Sequence, residues 1–115
     1  MKTDCLFCKI VQKDIPAKIA YEDAAVLAFH DIRPQAPHHI LIIPKKHIAT
    51  VNDIDVTDNA LIGQMVQVAK RLAAELGVDE KGYRLNLNCN REGGQEVYHL
   101  HLHLLAGRQM RWPPG

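Results

Sequence analysis

The chain has 115 residues, 47% hydrophobic and 23% charged, which suits one ordinary globular domain and is too short for two. A formal net charge of +1 and 5% aromatics leave neither a broad basic surface for a nucleic-acid backbone nor a platform for stacked bases. No apolar run approaches the ~20 residues of a membrane span, and Asp4, Lys9 and Lys13 interrupt the region where a signal peptide would be apolar. The three cysteines are an odd number without a secretion signal, so the cytoplasm is the expected location.

Residues 5–12, CLFCKIVQ, read as a short helix ended by Asp14-Ile15-Pro16. KIAYED (18–23) is a short strand turning at Glu22-Asp23. AVLAFHDI (25–32) is a second, stopped by Arg33-Pro34 and Ala36-Pro37. HHILIIP (38–44) is nearly continuously apolar, the pattern of a strand buried on both faces. A long helix follows, because Leu61, Met65, Val68, Leu72 and Leu76 fall on one helical face. Thr57 is placed to cap its start, and Gly77 follows its end. YRLNLNCN (83–90) and VYHLHLHLL (97–105) are two more strands, joined through Gly93-Gly94; RWPPG (111–115) cannot continue a regular element. The expectation is an α+β fold in a single domain of residues 1–115: a five-stranded antiparallel sheet, one long helix across a face, and a short N-terminal helix.

The stretch 97–105 raises the functional question. Residues two apart on a strand share a face, so His99, His101 and His103 point one way and Leu100, Leu102 and Leu104 point into the core. A polar outer face that happens to use histidine is the plain reading. One metal held by all three fails on distance, since at ~3.3 Å per residue the outer rings start ~13 Å apart, against a ~2 Å zinc–nitrogen bond. Adjacent rings can still share an ion. The catalytic reading is a nucleophilic imidazole flanked by two more rings. A neutral ring attacks through one nitrogen when the other carries its proton and is fixed by an acceptor. Phosphorus is a natural target, because imidazole forms a transferable phosphoramidate.

HLHLHLL at 99–105, together with FHDIRPQAPHHILIIPKKH (29–47), GGQEVYHLHLHLLAGRQM (93–110) and the closing RWPPG, resembles the histidine-triad superfamily, in its nucleotide-binding-protein branch of purine nucleoside phosphoramidases. The resemblance implies a two-fold homodimer acting on purine nucleotides. His101 would be the nucleophile, attacking the α-phosphorus of a nucleoside 5′-phosphoramidate or an aminoacyl adenylate. A nucleotidyl-histidine would form, and water would then release the nucleoside monophosphate. His103 would touch the phosphate and assist proton transfer, and His39 would lie near the leaving group; otherwise His39 is a plain strand residue. Asp31 would accept the ribose hydroxyls, for which its two oxygens suit, or else serve a turn. Phe7, Ile15, Phe29, His30 and Ile32 would line the nucleoside pocket, though the apolar four suit a core equally well. Asn88 would approach the scissile phosphate, with Asn86 on the same face. Backbone N–H groups around Gly94 and Gln95 would receive phosphate oxygens. Trp112 would reach the partner's leaving-group pocket. Glu96 departs from the serine that eukaryotic members carry there. A carboxylate beside a phosphodiester repels it unless turned outward or protonated.

Cys5-Leu6-Phe7-Cys8 suits a redox pair, half of a zinc site or two buried small residues; a redox pair wants a βαβ context absent here. The resemblance implies a structural zinc held by Cys5, Cys8, His47 and His99, a set suited to closed tetrahedral coordination. Two further readings stay open at this point: a dinucleoside polyphosphate hydrolase of the same superfamily, and a nucleotide- or zinc-binding regulatory module with vestigial turnover.

Overall fold

The computed structural model describes residues 4–115. The elements run α1 (Leu6–Val11), β1 (Ile19–Glu22), β2 (Val26–His30), β3 (His38–Pro44), two 3₁₀ turns (Val51–Asp53 and Val56–Asp58), α2 (Asn59–Glu75), β4 (Arg84–Leu87) and β5 (Leu102–Ala106). The five strands form one sheet in the order β1-β2-β3-β5-β4, and each neighbouring pair is antiparallel. This is the α+β architecture that the alternation and the helical stripe predict. No helix among the described residues is long and apolar enough to cross a membrane.

The period of two along the strands divides the interior in two. Even-numbered Val26, Ala28, Ile40, Ile42, Leu102 and Leu104 face α2, where they pack with Met65, Val68, Ala69 and Leu72. Odd-numbered Leu27, Phe29, Leu41 and Ile43 face the other way, onto Phe7, Cys8 and Ile10 of α1. β3 is therefore covered on both sides, as its unbroken apolar run requires. His39, His101 and His103 stand on the odd face, and α2 is the buttress behind them.

Two expectations need correction. Thr57 does not cap α2. The carboxylate of Asp55 accepts from both the N–H and the hydroxyl of Thr57, and Asp58 returns a bond to the Asp55 N–H, closing a capping box around a 3₁₀ turn that feeds the helix. A carboxylate accepts at two oxygens and offers more here than one hydroxyl. The far end is as expected: Gly77 takes φ +72, and Gly77 and Val78 donate back to Ala74 and Ala73 in a Schellman pattern.

The second correction bears on function. The strand expected over 97–105 is regular only from Leu102. The β3–β5 register pairs Ile42 with Leu102, so continuing it would set Ile43 against His101 and Pro44 against Leu100. Pro44 has no N–H to continue a ladder. Leu100 instead donates to the carbonyl of Ile48 at 2.6 Å, and the Pro44 carbonyl accepts from a side chain, His99 Nε2, at 2.8 Å. His99 and His101 thus keep the face assigned to them but lie beyond the end of the paired strand.

Candidate active site and metal centre

The odd face of the sheet opens into a cleft of about 680 Å³. Phe7, Ile15, Phe29, His30, Asp31, Ile32, His39, Asn88, Gly94, His101 and His103 all line it. Phe29 stacks edge-on to Phe7 at 5.3 Å, and Phe7 in turn sets its ring edge-on to His101 at 5.2 Å. Ile32 is 93% exposed at the rim, an apolar side chain with nothing of this chain to cover it. Asp31 takes part in a turn and also faces the cleft. One oxygen accepts the Arg33 N–H at 2.8 Å in a turn, while the other lies 3.6 Å from His39 Nε2 at the cleft wall.

Partner atoms settle which nitrogen of each ring carries its proton. His101 Nδ1 lies 2.7 Å from the carbonyl of His99, which can only accept, so Nδ1 is protonated and Nε2 keeps its lone pair. Gln35 donates its backbone N–H to His39 Nδ1 at 3.1 Å. His39 therefore carries its proton on Nε2 and donates it to His103 Nδ1 at 2.9 Å. His103 in turn holds its proton on Nε2, a buried atom with no hydrogen-bond partner among the described residues. A buried donor without an acceptor is rare; here it is aimed from a cleft-lining ring whose centroid is 4.9 Å from that of His101.

Burial disfavours the cation in all these rings. It lowers His101, against the opposing pull of the His99 carbonyl and of Asp31 and Glu96. It lowers His39, with Asp31 opposing. It takes His103 to about 4, helped by its two neighbouring rings. All three are neutral at pH 7, and a neutral imidazole is the nucleophilic form.

Some placements differ from the sequence expectation. The N–H groups of Gly94 and Gln95 are turned inward to Arg91 and Asn90 carbonyls, so they do not present donors to the cleft. The reason is local: Gly93 sits so close to Cys89 that a Cβ would come within 2.5 Å of its carbonyl oxygen, and the tight loop closes on its own amides. Gln95 is not a cleft residue. Its buried amide donates to Ala49 and Val97 carbonyls and accepts from the Asn90 N–H, bracing the loop. Glu96 lines the cleft and is exposed. Asn86, paired opposite His103, donates to Asn88 Oδ1 at 2.8 Å and orients it. Gln35 acts through its backbone, which has no side-chain signature; the only sequence signal for it is its place four residues before His39 within RPQAPHH. Trp112 stands 85% exposed and outside the cleft lining of this chain.

Beside the cleft, Cys5, Cys8, His47 and His99 bring one ligand atom each within 4.8 Å of one another. His99 Nδ1 lies 3.4 Å from Cys5 Sγ, 3.5 Å from Cys8 Sγ and 3.2 Å from His47 Nδ1, and Cys8 Sγ lies 3.3 Å from His47 Nδ1. A tetrahedron on zinc bonds of ~2.0–2.1 Å to nitrogen and ~2.3 Å to sulfur has edges of about 3.3 Å (N to N) and 3.6 Å (N to S). The set matches these edges. His99 is fully buried, and burial takes its pKa to about 4. Its Nε2–H is given to the Pro44 carbonyl, which leaves the Nδ1 lone pair turned to the cluster, an arrangement typical of metal-binding histidine. The four atoms can hold a metal ion.

Comparison with known proteins agrees with the fold. The HIT domain model matches residues 12–110. The chain is 51% identical over 110 residues to a purine nucleoside phosphoramidase of Escherichia coli K12, covering 96% of this chain and 92% of that one. Among solved structures, a HIT family hydrolase from Legionella pneumophila superposes with TM-score 0.96 at 62% identity, covering 97% of this chain and all of that one. A histidine triad nucleotide-binding protein from Candida albicans superposes with TM-score 0.83 at 34% identity, covering 96% and 83%. The chain belongs to the HIT domain family, and its resemblance to the hydrolases of that family extends over nearly its whole length.

Proposed function

We propose that the chain cleaves the P–N bond of purine nucleoside 5′-phosphoramidates, and the acyl phosphate bond of aminoacyl adenylates, to release a nucleoside monophosphate. The observation that carries this reading is the fixed tautomer of His101, whose Nε2 lone pair is left for attack on phosphorus. A new N–P bond forms as the bond to the leaving group breaks. A phosphoramidate nitrogen leaves as the amine, protonated from solvent, and the acyl group of an adenylate leaves as a carboxylate; His103 Nε2–H, which lacks a protein acceptor, donates a hydrogen bond to the phosphate or the departing atom. Water then attacks the phosphorus, gives up its proton to solvent and breaks the N–P bond to His101. His39 holds His103 in the donating tautomer through the 2.9 Å bond between their rings. Asp31 takes the ribose hydroxyls on oxygens that each have a second lone pair. Phe7, Ile15, Phe29, His30 and Ile32 form the nucleoside wall, and Asn88, held by Asn86, meets the phosphate region. The E. coli relative named purine nucleoside phosphoramidase supports the choice of substrate class.

Zinc is the ion that the Cys₂His₂ set suits best, held by Cys5, Cys8, His47 and His99. It supplies a structural cross-link, since all four positions are filled by the protein. The chain acts as a homodimer, and exposed Trp112 contributes to the partner's leaving-group pocket; an 85% exposed tryptophan suits burial against a second copy. The deciding experiment is incubation with adenosine 5′-phosphoramidate and a lysyl-adenylate analogue, following AMP release. Steady AMP release supports the reading; no release from either compound by folded, zinc-loaded protein would overturn it.

A further inference from the structure

We infer that the metal centre positions the nucleophile, and that His99 is the residue through which it does so. This rests on the zinc and hydrolase readings above. His101 precedes β5, so no ladder bond to β3 fixes it. Three anchors outside the sheet hold the 97–101 segment instead. Leu100 donates to Ile48, the Gln95 side chain ties Val97 to Ala49, and the His99 ring is clamped between Pro44 and the cysteine–histidine set.

His99 faces both centres at once. Its ring offers Nδ1 to the metal set, and its carbonyl accepts the His101 Nδ1–H at 2.7 Å. That carbonyl is what keeps the nucleophilic lone pair on Nε2. A bound ion would join α1, the segment carrying His47 and residue 99 into one body. Phe7, on α1 between the two cysteines, sets its ring edge-on to both His99 and His101 at 6.0 and 5.2 Å. Without the ion, the thiols keep their protons and only weak sulfur–nitrogen hydrogen bonds of 3.3–3.5 Å replace the cross-link, beside the bond of His99 Nε2 to Pro44. The backbone at 99 then gains freedom, and the acceptor for His101 moves with it. A displacement of about 1 Å at a reacting atom is enough for a roughly hundredfold loss of rate. His99 is thus a positioning residue for His101, and the metal reaches the reaction through one carbonyl.

The test compares zinc-loaded protein with the same protein after chelation. The ¹⁵N spectrum of His101, taken without substrate, should show a single Nδ1–H tautomer when zinc is bound and a mixture when it is removed. Amide exchange at residues 97–101 should rise while β2 and β3 stay protected. Single-turnover transfer to His101 should fall tenfold to a hundredfold with the Kd for AMP changed less than threefold. As a second route that keeps the protein folded, AMP added to cobalt(II)-loaded protein should shift the visible bands of the metal in wild type and not in His101→Ala. An unchanged tautomer and rate after chelation, cobalt bands that ignore AMP, or a protein that takes up neither ion would overturn the inference. Failure of zinc-loaded wild type to cleave phosphoramidate would refute the hydrolase reading alone, since the tautomer measurement needs no substrate.

Discussion

Two histidine-bearing groups lie side by side on one face of the sheet, and they are wired in opposite senses. In Cys5–Cys8–His47–His99 the ligand atoms converge within 4.8 Å, and the outer nitrogen of His99 is tied to a carbonyl. In Gln35–His39–His103 donors and acceptors run head to tail, ending on a proton at His103 Nε2 that has no protein acceptor. His101 stands between them, its proton held by the His99 carbonyl and its lone pair left open. In the proposed function the same side chain at 99, 101 and 103 serves as a metal ligand, a nucleophile and a hydrogen-bond donor. What differs is the partner of its second nitrogen.

The sharpest break in this comparison is His101→Ala. It removes the one lone pair available for attack, and AMP release from adenosine 5′-phosphoramidate should fall by about three orders of magnitude or more, as with other nucleophile deletions. AMP should still bind, measured by calorimetry. A variant retaining a tenth of wild-type turnover would separate His101 from the reaction.

Cys5→Ser with Cys8→Ser attacks the converging group. A metal present at about a thousand times its Kd stabilises the folded chain by ~4 kcal/mol, so melting should fall by about 15 °C in zinc buffer. In chelator the two proteins should melt nearly together, and elemental analysis should find one zinc per chain in wild type only. Zinc retained by the double variant would place the ion elsewhere.

His39→Leu interrupts the head-to-tail group without touching the attacking atom. Loss of a residue that orients another costs typically ten- to a hundredfold, so hydrolysis should drop by that much and remain well above His101→Ala. Equal losses in the two variants would mean that His39 does more than orient His103.

The pH dependence of stability compares the same wiring with its solvent. His103 titrates at about 4 in the fold and near 6.5 unfolded, so between these values the unfolded chain binds more protons. Its contribution is complete above pH 6.5 and is lost as pH falls toward 4. His103→Gln in the cysteine double variant should narrow the difference in unfolding free energy between pH 7 and pH 5 by on the order of 1–2 kcal/mol. An unchanged difference, read by urea titration, would show that His103 is not buried as a neutral ring.

Trp112→Ala should have the smallest effect on the fold, within about 0.5 kcal/mol, because the ring is 85% exposed in this chain. The ranking of amine leaving groups should nevertheless change, and light scattering should find a dimer at micromolar concentration. An unaltered ranking would leave Trp112 outside the site.

Much of the arrangement can be read from one-dimensional pattern. A period of two at 99–105 assigns three imidazoles to one face and three leucines to the other, and the stripe from Leu61 to Leu76 places α2 behind them. The run HHILIIP announces a central strand because it leaves no polar face for solvent. These are local rules, set by backbone geometry and burial, and they need no knowledge of distant partners. The Asp55 box in place of a Thr57 cap, the inward amides of Gly94 and Gln95, and the brace role of Gln95 depend on which neighbour wins a hydrogen bond, which spacing alone does not decide.

What tertiary structure alone decided is how the histidines differ from one another. Cys5 meets His99 across 94 positions of sequence, and His39 meets His103 across 64. The strand stops at Leu102 because the register sets Leu100 against Pro44, a residue without an N–H. The sequence by itself determined that three rings would share a face beside a fourth histidine and a cysteine pair. The pairing of distant segments decided which nitrogen of His99 and of His103 would hold a proton, through Pro44 and His39, because a tautomer is set by the atom opposite it in space.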